Sequence, residues 1–123
     1  MKPAPFIHLA PTSIKNALAL LSEHAPDARV LAGGQSLVPL MNFRLSRPSH
    51  LIDLNCLPEL SYIRQNADHL LIGAMTRERT IENSELVRTH GPLLHEATSY
   101  IGHLPIRSRG TIGGSIVNAD PAA

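Results

Sequence analysis

Two glycine pairs, each beside a small hydroxyl residue, are the stretches of this chain best suited to hold a ligand. They are Leu31-Ala32-Gly33-Gly34-Gln35-Ser36-Leu37 and Gly110-Thr111-Ile112-Gly113-Gly114-Ser115. Glycine lets the backbone turn sharply and come close to a ligand, and successive free N–H groups beside a hydroxyl form an anion cradle. The matching chemistry is phosphate binding, with backbone N–H donation at the glycines and hydroxyl donation at Ser36, Thr111 and Ser115. Two cradles suggest two phosphates. The competing reading is that each glycine pair is only a turn.

Other chemistries find less support. No glycine is followed by Lys2 or Lys15, so there is no Walker loop, and no G-x-G-x-x-G follows a strand. Ser36 and Ser115 lack the trailing glycine of a nucleophile elbow. Seven histidines invite a metal reading, but His90 and His95 fall five positions apart without an H-E-x-x-H pattern, and no metal site is expected. Cys56 precedes Leu57-Pro58 and reads as a buried spectator thiol. Arg44, Arg47, Arg107 and Arg109 lie near the cradles in sequence and read as surface or interface charges.

The elements that must carry these motifs can be read from pattern. Thr12 or Ser13 caps a helix with Ile14, Ala17, Leu18 and Leu21 on one face, ending before Pro26. Ala28 to Ala32 reads as a buried strand feeding the first cradle. Ser36 is then the expected N-cap of a short helix with Pro39 in its first turn and Leu37, Leu40, Met41 and Leu45 as its apolar stripe. Leu51 to Leu54 reads as a second buried strand with Asp53 as a strand-end polar group, and Asn55 to Leu60 as a turn region. A hairpin is expected across Asn66-Ala67-Asp68. Short helices follow over Thr76 to Ile81 and Ser84 to His90. Another starts at Pro92, with Leu93, Leu94, Ala97 and Ile101 facing the core and Gly102 as its stop. From Gly102 through the second cradle the chain reads as loop. The alternation of helices and strands predicts a mixed α/β (α+β) fold.

At 123 residues, with no linker, low-complexity stretch or repeat, a single domain over residues 1–123 is expected. The net charge of +1 and the absence of Trp exclude an electrostatic or stacking case for nucleic acid. The proline-interrupted start is no signal peptide and no apolar run is long enough for a membrane span, so a cytoplasmic chain is expected. A single cysteine excludes an internal disulfide and an iron–sulfur cluster held by this chain alone.

Ala32 to Leu45 (AGGQSLVPLMNFRL) and Ile106 to Ser115 (IRSRGTIGGS) resemble the two signature motifs of the FAD-binding medium subunit of molybdenum hydroxylases, the carbon monoxide dehydrogenase and xanthine dehydrogenase flavoproteins. The resemblance extends over nearly the whole chain. It implies the N-terminal subdomain of a two-domain FAD-binding fold of the PCMH-like type. The cofactor contacts it implies are Ala32, Gly33, Gly34, Gln35 and Ser36, with Thr111, Ile112, Gly113, Gly114 and Ser115. It also implies an iron–sulfur small subunit and a molybdopterin large subunit as partners, with NAD or another acceptor taking electrons from FAD. Pro105, Ser108 and Asn118 depart from the family's usual glutamine, asparagine and histidine. The family continues past Ala123 into a domain that closes over the flavin, so this chain is expected to be an N-terminal portion, not catalytic alone. The alternatives are a truncated scaffold or subunit-docking module without productive flavin binding, and an unrelated α/β domain whose glycines are turns.

Overall fold

The computed structural model describes residues 1–122, which divide into two compact units meeting in sequence at Pro58. The first unit is built on a three-stranded parallel sheet of β1 (Ile7–Leu9), β3 (His50–Asp53) and β2 (Ala28–Leu31), in that order. Helix α1 (Ile14–Glu23) links β1 to β2, and α2 (Leu37–Asn42) lies between β2 and β3. Parallel neighbours need such crossovers, because a hairpin can join only antiparallel strands.

β3 is central and carries the core: Leu51 and Ile52 are buried, with Ala17 of α1, Ala28 of β2 and Met41 of α2 also buried. β2 is an edge strand, so the buried strand read at Ala28 to Ala32 is corrected: only Ala28 is buried and Val30 is 40% exposed. β1 was not anticipated. It falls between Pro5 and Pro11, where proline signals irregular chain, yet proline is tolerated beside an edge strand, and β1 pairs only with β3. α1 starts where expected: Ser13 accepts a hydrogen bond from the Asn16 N–H at 3.1 Å.

The second unit starts with the antiparallel hairpin of β4 (Ile63–Asn66) and β5 (His69–Ile72), whose turn takes Ala67 at φ 50°. Five short helices follow: α3 (Glu78–Glu82), α4 (Glu85–His90), α5 (Pro92–Thr98), α6 (Leu104–Arg109) and α7 (Ile112–Asn118). Ser84 caps α4 through the Val87 N–H, and Pro92 opens α5 as expected. Leu93 does not face the core: it is 79% exposed, and the fully buried residue of α5 is Thr98, whose hydroxyl donates to the Leu94 carbonyl. Ile81 and Val87 are the apolar centre of this unit.

The segment after Gly102, read as loop, holds two helices. Proline and paired glycines are poor helix formers, so local propensity hid them. Pro105 sits in the first turn of α6, where its missing N–H costs nothing, and Thr111 caps α7. No helix of the described residues is long and apolar enough to cross a membrane.

Candidate functional site: two glycine motifs with different hydrogen-bonding states

The first motif leaves the carboxyl end of β2 and enters α2. Gly34 takes φ 74°, which an L side chain adopts only under strain, and a Cβ there would lie 3.1 Å from Val38 and 3.2 Å from Leu31. Pro39 falls in the first turn as expected, but Ser36, although at the N-cap position, makes no side-chain cap bond. Its hydroxyl and its α-region backbone leave the helix start uncapped by protein.

Three carbonyls of this loop, those of Ala32, Gly33 and Gly34, are held from inside. Asn55 Nδ2 donates to the Ala32 carbonyl at 3.0 Å, Gln35 Nε2 to the Gly33 carbonyl at 3.2 Å, and the Val38 N–H to the Gly34 carbonyl at 3.0 Å. By contrast, the N–H groups of Gly33, Gly34, Gln35 and Ser36 make no hydrogen bond among the described residues. Four consecutive unsatisfied donors at a strand exit are the kind of feature that an anion fills.

Asn55 is itself anchored. Asp53 Oδ1 accepts from the Asn55 N–H at 2.9 Å and from Asn55 Nδ2 at 2.6 Å, while Asp53 Oδ2 lies 2.9 Å from His8 Nε2. Burial pushes the Asp53 carboxyl up, but the hydrogen bonds from Asn55 and His8 and the His8 charge outweigh it, holding the group below its ordinary value. Asp53 is therefore more than the strand-end polar group of the sequence reading. The Asp53-x-Asn55 spacing, an Asx pattern at a strand end, was the available signal.

The second motif is already satisfied. The N–H of Ile112 donates to the Thr76 carbonyl at 3.1 Å, that of Gly113 to Ala74 at 2.9 Å and that of Ser115 to Thr111 at 3.0 Å. The Gly114 N–H donates to Thr111 Oγ1 at 3.1 Å, and the Ser115 hydroxyl donates to Glu78 Oε1 at 2.5 Å. The free N–H donors expected here from sequence are thus engaged by the protein. Gly113 serves packing, since a Cβ would lie 2.7 Å from the Ala74 carbonyl oxygen.

Glu78 was missed in the sequence, because nothing local marks a glutamate for burial. It is 3% exposed, its N–H donates to the Gly110 carbonyl, and its Oε2 is buried without a hydrogen-bond partner among the described residues. That oxygen fills the place of a Gly110 Cβ, at 2.5 Å.

Three of the four arginines read as surface or interface charges, Arg44, Arg47 and Arg107, have protein partners. Arg107 donates to Glu82 Oε2 at 3.0 Å and to the carbonyls of Ile101 and Gly102, and its side chain is 13% exposed. Arg44 donates to the Lys2 carbonyl and Arg47 to the Arg44 carbonyl. Cys56, read as a buried thiol, is exposed. No cluster of three or more metal-ligating side chains occurs among the described residues.

Comparison with known proteins adds family context to this geometry. The family described as the FAD binding domain in molybdopterin dehydrogenase matches residues 4–123. Caffeine dehydrogenase subunit beta of Pseudomonas sp. strain CBB1 is 46% identical over all of this chain and 42% of its own length. Among solved structures, carbon monoxide dehydrogenase from Hydrogenophaga pseudoflava superposes with a TM-score of 0.96 at 46% identity, over 98% of this chain and 42% of that one. Quinoline 2-oxidoreductase from Pseudomonas putida 86 gives a TM-score of 0.96 at 41% identity, over 100% of this chain and 43% of that one. The chain thus spans less than half the length of the relatives it matches.

Proposed function

The chain belongs to the family of FAD-binding domains of molybdopterin dehydrogenases, and from that premise we propose that its first glycine motif holds the pyrophosphate of FAD. The observation that carries this reading is the run of four unbonded N–H groups from Gly33 to Ser36. Free donors on a glycine turn fit an anion brought close to the backbone. The mixed α/β fold is the one seen in the family's solved structures.

The residues proposed as cofactor contacts are Ala32, Gly33, Gly34, Gln35 and Ser36 of the first motif and Thr111, Ile112, Gly113, Gly114 and Ser115 of the second. In the first, backbone N–H groups and the Ser36 hydroxyl donate. In the second, Gly114 has no side chain to hinder close approach, while Thr111, Gly113 and Ser115 hold the backbone in place. FAD supplies the redox chemistry; the protein supplies position and electrostatics.

The family match runs across both compact units, which supports residues 1–123 as one FAD-binding domain, the N-terminal portion of the subunit. We infer further that the subunit works in the cytoplasm beside an iron–sulfur small subunit and a molybdopterin large subunit. Electrons from substrate oxidation then pass through the clusters to FAD and on to NAD or another acceptor. With one cysteine, residues 1–123 do not themselves hold a cluster.

Calorimetric titration with FAD, ADP and riboflavin tests the site. FAD and ADP, which share the pyrophosphate, should compete for one site, and riboflavin, which lacks phosphate, should not. Riboflavin binding as well as FAD would overturn the assignment.

A further inference from the structure

Asn55 and Gln35 have no assigned role, yet each bonds a carbonyl of the first glycine motif. The peptide unit is planar and trans, so the carbonyl of one residue and the N–H of the next point in opposite directions. Fixing a carbonyl therefore aims the following N–H. Asn55 Nδ2 bonds the Ala32 carbonyl and so sets the direction of the Gly33 N–H. Gln35 Nε2 bonds the Gly33 carbonyl and sets the direction of the Gly34 N–H.

These two peptides need outside help. The Gly34 carbonyl is held by the Val38 N–H at the start of α2, so the Gln35 N–H is oriented by the helix itself. Residues 32 and 33 precede the helix and lie beyond the paired part of β2, and glycine imposes almost no φ preference of its own. We propose that Asn55 and Gln35 are positioning residues that pre-aim the Gly33 and Gly34 N–H groups at the pyrophosphate, with Asp53 and His8 as the anchor of Asn55. The inference rests on the FAD reading of this motif.

The anchoring is specific. One hydrogen of Asn55 Nδ2 goes to Ala32 and the other to Asp53 Oδ1, which also accepts the Asn55 N–H, so the amide has one orientation that satisfies both ends. The second Asp53 oxygen is taken by His8 on the far edge strand, β1, which ties all three strands to the loop. Asn55 and Gln35 are exposed, so replacing them leaves the core intact.

The test compares wild type with Asn55→Ala, Asn55→Asp and Gln35→Ala, using Cys56→Ser as an exposed neighbouring control. Residual dipolar couplings of backbone amides are measured in the free protein, and ADP affinity by calorimetry. Both Asn55 variants should reorient the Gly33 N–H while leaving Gly34 in place; Gln35→Ala should do the reverse, a selectivity that general loosening would not show. Asn55→Asp keeps the shape but replaces the donor with a second carboxylate beside Asp53, so it should reorient the Gly33 N–H and weaken ADP at least as much as Asn55→Ala. Each alanine variant should weaken ADP about five- to tenfold, the loss typical of one hydrogen bond. Unchanged couplings, or reoriented amides with wild-type ADP affinity, would overturn the inference while the FAD reading stands. Absence of ADP binding by wild type would overturn the FAD reading, and this inference with it.

Discussion

The Ser115 hydroxyl donates to Glu78 Oε1 at 2.5 Å, so the last residue of the second glycine motif is tied to a carboxylate that is itself buried. Glu78 Oε2 has no hydrogen-bond partner among the described residues. The pair is thus a single connection whose loss leaves both oxygens unsatisfied. Ser115→Ala should destabilise the protein by about 1–3 kcal/mol, the usual cost of an orphaned buried polar group. Urea unfolding followed by circular dichroism measures it. An unchanged midpoint would show that Glu78 does not depend on Ser115.

The two glycines at 113 and 114 should behave oppositely. A Cβ at Gly113 would meet the Ala74 carbonyl oxygen at 2.7 Å and the Ala74 Cβ at 2.8 Å. The backbone oxygen cannot swing aside, so Gly113→Ala should cost about 1–3 kcal/mol, as overpacking does. Gly114 sits in α7 without a positive φ, and Gly114→Ala should be neutral or stabilise by up to about 1 kcal/mol through helix propensity and unfolded-state entropy. Comparable unfolding midpoints for the two variants would contradict the packing role of Gly113.

A charge test of the phosphate site belongs at Gly33 rather than Gly34. Gly34 has φ 74°, so any L residue there is strained by about 1–2 kcal/mol before ligand enters the question. Gly33 is free of that positive-φ strain, and Gly33→Asp should abolish ADP binding by setting a like charge beside the phosphate. Normal ADP binding by a folded Gly33→Asp protein would place the phosphate elsewhere.

How far these sites were readable depends on whether their cause is local. The first motif was legible because an apolar strand, a glycine turn and a proline-tolerant helix start follow one another in the chain, and the structure has β2, the turn and α2 there. The second was legible as a motif and not as structure. Its helix α7 contains two glycines and is held by Thr76 and Ala74, residues far away in sequence. The burial of Glu78 and the exposure of Leu93 and Cys56 follow from tertiary packing, which inverts the usual preferences of those residue types. Asn55 lay in a stretch read only as a turn; its bond to Ala32 spans two strand exits and has no local signature beyond the Asx spacing.

Acid should find the Asp53 anchor. Its folded value lies below the ordinary 3.8, so its contribution to stability is fully present above the unfolded value of about 3.9 and is lost as pH falls through the lower folded value. Between pH 7 and 5 this group should change nothing. Below about pH 4, wild type should lose stability more steeply than Asp53→Asn, which cannot titrate there, and the gap between them should close. Parallel pH–stability curves for the two proteins would show that the network with His8 and Asn55 does not favour the carboxylate.

The claim that the Gly33 to Ser36 N–H groups receive a pyrophosphate is tested most directly by an amide-resolved titration of the isotope-labelled protein with ADP, followed by ¹H–¹⁵N correlation spectra. The account predicts saturable shifts, sharing one affinity, at Gly33, Gly34, Gln35 and Ser36. Smaller shifts are expected at Ile112 to Ser115, whose N–H groups keep their internal partners. Saturable ADP binding that leaves the amides of Gly33 to Ser36 unmoved would contradict it.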